Sequence, residues 1–574
     1  MKKLLLILFA LCLNVSATTY YVDNCVVTGN DSNNGTSPAT PWLTLSKAGS
    51  ATASSGDTVL LERGCIWREQ FAGTHNITYD AYGAGNKPSI RGSATKNVAG
   101  NWTNKSGNLW YVSSITHDPG FVMHSDTNQC TGQACLPLEG QRKTSEGALG
   151  TQWDSWYDSG NSREEIYSVG NPTGLSSLLE VPILANAPAD LCHSSTYNNL
   201  DIREFYDKAY VQFGCATAST FTNVDCGPTA TYCFQFNRNT GSGMTATFTG
   251  GTDTDWGIIS GAQQFGIMAI GGAGPVTITG RVGIINHSDT SGMGWIDADV
   301  PSCISSVSGN RFYNYGTQPV VAYGLYQAAS TCNSQTIVWT NNYSYGAGMG
   351  IDMNGLDDGG ATPTSLEISF NLIEHSGVGD VSDQHAIRCY ATSGSNIPLL
   401  YKYNVVNGTV LGSNAHAGLG LDGCVNGKFY GNTVYGADDG ILVKNSSTGN
   451  DMENNGSTFN RGYGIDVTSG SVTTFKTNGW YSNTSGNYNG ISAGSGDVTS
   501  NPFLANGAGG NLRISKNSPW IDVGTNLGST YQLGLNPHTV FPFGTANQNS
   551  YGSGWEIGAF VFIPGNAWFS SGGQ

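Results

Sequence analysis

One phrase returns through the second half of the chain: an asparagine, a few apolar or aromatic residues, a glycine, then a short strand carrying Ile or Leu. Its asparagines are Asn310, Asn342, Asn371, Asn404, Asn432 and Asn455, in steps of 32, 29, 33, 28 and 23 residues. The strands that follow hold Leu325 in "GLYQA", Ile351 in "GIDMN", Ile387 in "AIRCY", Leu419 in "GLGLD", Ile441 in "GILVK" and Ile465 in "GIDVT". "GWIDADV", around Ile296, precedes them. A unit this short cannot bury its apolar side alone and must stack on copies of itself. Because the units are strand-like, the spacing predicts coils of a parallel β-solenoid, each keeping its Ile or Leu inside and lying ~4.8 Å from the next. A β-propeller blade needs roughly 40 residues and four strands, more than these uneven units supply.

Composition agrees with an all-β chain: 79 glycines, 27 tyrosines and only 11% charged residues suit short strands joined by tight turns. A formal charge of −16 excludes a nucleic-acid partner and disfavours a polyanionic glycan unless a cation or a local basic patch intervenes. Met1-Lys2-Lys3, the apolar run Leu4 to Leu13 and Val15-Ser16-Ala17 read as a secretory leader, residues 1–17, so a secreted protein (extracellular, periplasmic or on the cell surface) is expected. Leu11 before Cys12 argues against a lipoprotein, and after Ala17 no apolar run is long enough to span a bilayer. Twelve cysteines follow Cys12 with no CxxC pair, which in an exported chain points to disulfides. Cys303 and Cys332 each lie seven residues past a strand anchor, so equal register in neighbouring coils predicts a bond between them.

"TYYVDNCVVTGNDSNNGTSPATPWLTLSKA" (19–48), "GDTVLLERGCIWREQ" (56–70) and "ITYDAYGAGNKPSIRG" (77–92) resemble the N-terminal signature of secreted right-handed parallel β-helix proteins, the pectate-lyase-like superfamily. "NPFLANGAGGNLRISKNSPWIDVGT" (501–525) and "WEIGAFVF" (555–562) resemble its C-terminal ending. The resemblance implies a right-handed parallel β-helix and leaves the chemistry open, because that group holds lyases, hydrolases, epimerases and phage tail proteins. The expected division is a cap and first coils over 18–95, a strand-rich insertion over 96–255, coils over 256–500, and a final coil and cap over 501–574. The insertion carries Trp102, Trp110, Trp153 and Trp156 with six cysteines. It reads as a disulfide-stapled side domain or as a glycan-binding module.

Strand side chains alternate, so residues one and three past each anchor face outward. The first column reads Asp297, Tyr326, Asp352, Arg388, Gly420, Leu442, Asp466; the second reads Asp299, Ala328, Asn354, Tyr390, Asp422, Lys444, Thr468. Arg388, Tyr390, Asp422 and Lys444 thus share one patch. The turns before the strands add Asp383, His385, His416, Asp438 and Asp439. His385, two residues before its anchor, would face inward in an ideal strand, and Leu421 competes with Leu419 as the anchor of its coil.

A polar flank on an elongated exported protein suits a polysaccharide. Cleaving a uronate glycan by β-elimination needs its carboxylate neutralised, the C5 proton removed and the leaving oxygen protonated. Arg388 could neutralise, Lys444 or His385 accept the proton, and Tyr390 donate one, with Asp422 completing the catalytic group. Asp352, Asp383, His416, Asp438 and Asp439 are candidate substrate contacts. A Lys444–Asp422 pair would hold Lys444 charged, which favours His385 as base. The family resemblance offers Ca²⁺ as a cofactor, with Asp297 and Asp299 as ligands. The second reading is a glycoside hydrolase of polygalacturonase type, since "ADDGILV" (437–443) resembles its paired-aspartate motif although its other hallmarks are missing. "DQH" (383–385) also resembles, weakly, an alginate-epimerase motif. A third reading is a non-catalytic, glycan-binding or structural surface or phage-derived β-helix.

Overall fold

The computed structural model describes residues 17–564 except 28, 51–52, 71, 74–75, 126–137, 187–188, 192, 214–216, 238–243, 255–263, 271–273, 286–292, 299–302, 315–321, 329–335, 347–348, 355–363, 375–384, 396–397 and 409–416. Three long parallel sheets run side by side, sheet A of fourteen strands and sheets B and C of thirteen each among the described residues. The chain visits them in the order A, B, C, once per coil. A representative coil uses Ser365–Ser369 in A, Leu372–Glu374 in B and His385–Ser395 in C before Leu399–Lys402 re-enters A. The fold is the expected all-β parallel β-helix.

The anchors stack as the repeat predicts. Ile296, Leu325, Ile351, Ile387, Leu419, Ile441 and Ile465 are successive register partners in sheet C. Leu419, not Leu421, is the partner of Ile387, which closes that alternative. Ile351, Ile387, Leu419, Ile441 and Ile465 are buried in one continuous core, each burial worth roughly 2 kcal/mol.

The repeated asparagines form a second column at the corner between sheets A and B. Asn310 to Asn342, then Asn371, Asn404, Asn432, Asn455 and Asn478 are joined by Nδ2 donors to the next Oδ1 at 2.9–3.1 Å. Each amide also satisfies backbone groups that a turn inside the core would otherwise strand. At one end the backbone N–H of buried Arg281 donates to Asn310 Oδ1. At the other, Asp497 accepts from the backbone N–H of Asn478 at 2.8 Å.

Two expectations about boundaries are corrected. Within the expected insertion, the described residues from Ser93 to Pro182 leave the stack, as two antiparallel sheets around a core that includes Trp102 and Trp153. From Ala189 to Thr254 the chain is back in sheets A, B and C, so the insertion does not reach 255. The repeat is hard to read there because aromatic rings replace Ile and Leu: Tyr79, Tyr197, Phe221 and Phe248 stack along sheet A at 5.3, 5.3 and 4.7 Å. Near the C-terminus, Phe503 to Phe562 is more than a cap. It folds back along sheet B, where Ala559 N–H donates to Thr433 Oγ1 and Phe541 O accepts from Arg311. Leu512, Leu535, Phe543 and Phe560 pack there with Tyr403 and Val405.

Cys25–Cys65, Cys226–Cys233 and Cys389–Cys424 are disulfides, and Cys303 is disulfide-bonded. Cys332, its expected partner, lies outside the described residues. No described helix is long and apolar enough to cross a membrane.

Candidate functional site

The site is built on four neighbouring strands of sheet C: Met349–Asn354, His385–Ser395, Ala417–Cys424 and Asp439–Lys444. Their register puts Asp352 beside Arg388, Tyr390 beside Asp422, and Asp422 beside Lys444. Arg388 grips Asp352 with both Nε and Nη2 at 2.8 Å, and Asp352 is fully buried. The guanidinium also lies over the Tyr390 ring, 5.0 Å from its centroid. Lys444 Nζ stands 3.4 Å from Asp422, whose other oxygen accepts from Asn445 Nδ2. The outer face of these coils therefore carries two cations, each matched by its own carboxylate, with a phenol between the pairs.

His385 does not point inward. Ala386 and Ile387 are consecutive and both lie in the core, so the strand turns a corner there. A Cβ on Gly350 or Gly418, the register equivalents of Ala386, would strike core side chains Ile373 or Val434. Alternation resumes on each side of the corner and sends His385 outward. Its ring covers Gly420, where a Cβ would sit 2.6 Å from the ring carbon Cγ. The Ala417 N–H donates to Nδ1 at 3.2 Å, so a neutral ring carries its proton on Nε2. In that tautomer the ring donates, which removes His385 from the base role.

Of the remaining expected residues, Asp438 pairs with Arg461. Asp439 accepts from the Tyr463 N–H at 2.6 Å and occupies the same register column as His385, two coils on. Burial holds the Asp439 carboxyl above its ordinary range, and the charges of Asp466 and Asp438 push the same way. Asp383, His416 and Asp299 lie outside the described residues. Asp297 is placed by its backbone alone, two strands from Asp352 with Tyr326 between. Among the described residues one grouping has metal-ligating atoms close together, Asp23 with Cys25 and Cys65, and those cysteines are bonded to each other.

Three participants were not picked out from sequence. Asn445, one residue past the Lys444 strand, fixes Asp422. Gly420 makes room for the imidazole. The Cys389–Cys424 disulfide lies on the inner side of the same strands and ties the Tyr390 strand to the Asp422 strand.

No protein-family model matches the chain, and no curated protein sequence matches it. Solved structures similar to it include one described as a glycoside hydrolase, at 9% identity and a TM-score of 0.33, over 72% of this chain and 97% of that one. The GH136 lacto-N-biosidase from Eubacterium ramulus is 12% identical with a TM-score of 0.31, over 84% of this chain and 68% of its own. Pectate lyase Pel9A, also 12% identical with a TM-score of 0.31, aligns over 95% of this chain and 97% of its own. These superpositions are loose, and the chemistry is argued from this chain's own residues.

Proposed function

We propose that the protein is an exported polysaccharide-active β-helix protein that works on the outer face of sheet C. The observation that supports this is the contiguity of Asp352, Arg388, Tyr390, Asp422, Lys444 and His385 on neighbouring coils of a chain poor in charge. The finer reading is a lyase acting by β-elimination on a uronate glycan. Arg388, held in plane by Asp352, receives the sugar carboxylate. Tyr390 protonates the leaving oxygen. Lys444 gives its own proton to Asp422 as the substrate enters and then takes the C5 proton as a neutral amine, and His385 donates a hydrogen bond from Nε2. Ca²⁺ bound by Asp297 and Asp299 belongs to this reading as a proposed cofactor.

A glycoside hydrolase is the second reading, and two observations favour it. Each cation is neutralised by its own carboxylate, which suits a neutral sugar. Asp439, with its carboxyl raised by burial, has the character of a general acid. One experiment separates the readings: digest uronate and neutral polysaccharides with and without calcium, following both reducing ends and ultraviolet absorbance of the new double bond. A lyase yields both signals on uronates, a hydrolase yields reducing ends alone, and neither signal on any polymer refutes an enzymatic role.

A further inference from the structure

Along one edge of sheet B, at the corner that leads into sheet C, several of the later coils place one residue in the left-handed backbone region. Gly346, Gly408 and Gly436 fill this position with φ of 73°, 64° and 73°. Their N–H groups donate to Glu374, Tyr435 and Thr458 of the following coil. In the next coil the equivalent residue is Phe459, at φ 56°, donating in the same way to Tyr481 O. A bulky side chain in that region is disfavoured where glycine is free of strain. Phe459 is nevertheless 41% exposed, so the ring is not held there by a closed apolar pocket.

The phenyl ring has particular neighbours. Tyr435, Thr458 and Tyr481 are successive register partners on the outer face. The small, buried Thr458 leaves a gap between the two tyrosines. Phe459 bridges it, with ring centroids 5.3 Å from Tyr435 and 5.5 Å from Tyr481. Three rings thus line the stack over about 10 Å, two coil spacings. Such a platform is far smaller than the roughly 800 Å² per partner of a stable protein interface. Phe459 is tilted 43° to Tyr435 and stands edge-to-face at 75° to Tyr481, so the rings offer separately turned faces, each of a size to receive the apolar C–H side of one pyranose ring of a twisted polymer. Four residues further along the chain, Tyr463 enters the register column of Asp439 and His385.

We infer that Tyr435, Phe459 and Tyr481 form a stacking subsite for a pyranose polymer, at the corner through which the chain reaches the outer face of sheet C. This rests on the reading that the ligand is a polysaccharide. The test is affinity electrophoresis of the full chain through gels cast with polygalacturonate, alginate or neutral arabinogalactan, for wild type, Phe459→Leu, Phe459→Trp and Arg388→Met. The expected result is retardation of the wild type by at least one polymer, an apparent affinity about tenfold lower for Phe459→Leu, and retention or gain for Phe459→Trp. Leucine keeps apolar bulk but has no ring face, so wild-type retardation of Phe459→Leu overturns the subsite. If Arg388→Met alone loses binding, the functional reading stands without it. If no polymer retards the wild type, both fall.

Discussion

The Asp352–Arg388 pair gives the sharpest stability prediction. Across exposed strands such a pair contributes a few tenths of a kcal/mol. Here the Asp352 side chain is 0% exposed and that of Arg388 only 10%, with two charged hydrogen bonds of 2.8 Å between them. Removing one partner leaves the other charge buried and uncompensated, at a cost of about 3–5 kcal/mol, whereas removing both can be close to neutral. Asp352→Asn and Arg388→Met should therefore each destabilise by about 3–5 kcal/mol, and the double variant should be more stable than either single one. Equilibrium urea unfolding followed by tryptophan fluorescence, run as a double-mutant cycle, measures this. Single losses below about 1 kcal/mol, or a double variant as weak as the sum of the singles, would show the pair to be an ordinary surface bridge. The argument that Asp352 exists to hold Arg388 in place would then fail.

Asn371→Leu in the asparagine column deletes four hydrogen bonds of 2.9–3.0 Å and strands the Asn342 N–H, so a loss of about 3–5 kcal/mol in urea unfolding is expected. Gly420→Ala drives a methyl into the buried His385 ring; ring NMR signals should shift, polysaccharide turnover fall, and the overpacking cost about 1–3 kcal/mol in urea unfolding. Glu556 is buried, and its carboxyl is pushed up to about 8. A raised carboxyl stabilises the fold below the unfolded value near 4.5 and loses that contribution as pH rises to about 8, a change on the order of 5 kcal/mol. Denaturant midpoints should decline over that window for the wild type and much less for Glu556→Gln. Cys389→Ala with Cys424→Ala opens a 35-residue loop, and a stability loss of about 3–4 kcal/mol is expected from chain entropy, with weaker coupling between Tyr390 and Asp422 in activity assays.

The sequence carried the stack because its two repeated elements answer to physical needs that every coil shares. A corner inside the core needs an amide that can both donate and accept, and that need recurs as Asn310 through Asn455. An inward strand position needs an aliphatic side chain, and that recurs as Ile351 through Ile465. Where the same inward positions hold Tyr210 and Phe234, the pattern based on Ile and Leu loses the coil although the register continues unbroken. The return of the C-terminal segment along sheet B left no periodic trace, because its contacts are single ones, such as Arg311 donating to Phe541 O and the Ala559 N–H donating to Thr433 Oγ1.

The site was legible only as far as strict alternation holds. Residues past the anchor follow it, so Arg388, Tyr390, Asp422 and Lys444 fall where the columns place them. Residues before the anchor do not, because the backbone bends between Ala386 and Ile387 and two consecutive side chains enter the core. That single bend turns His385 from an interior histidine into the lid of Gly420. It also bears on which nitrogen carries the proton, since the N–H of Ala417, its register partner one coil on, donates to Nδ1. The expectation that His385 serves as base, made because Asp422 would hold Lys444 charged, meets a ring whose Nδ1 already accepts the Ala417 N–H. The geometry that corrects it follows from one glycine and one corner rather than from any motif.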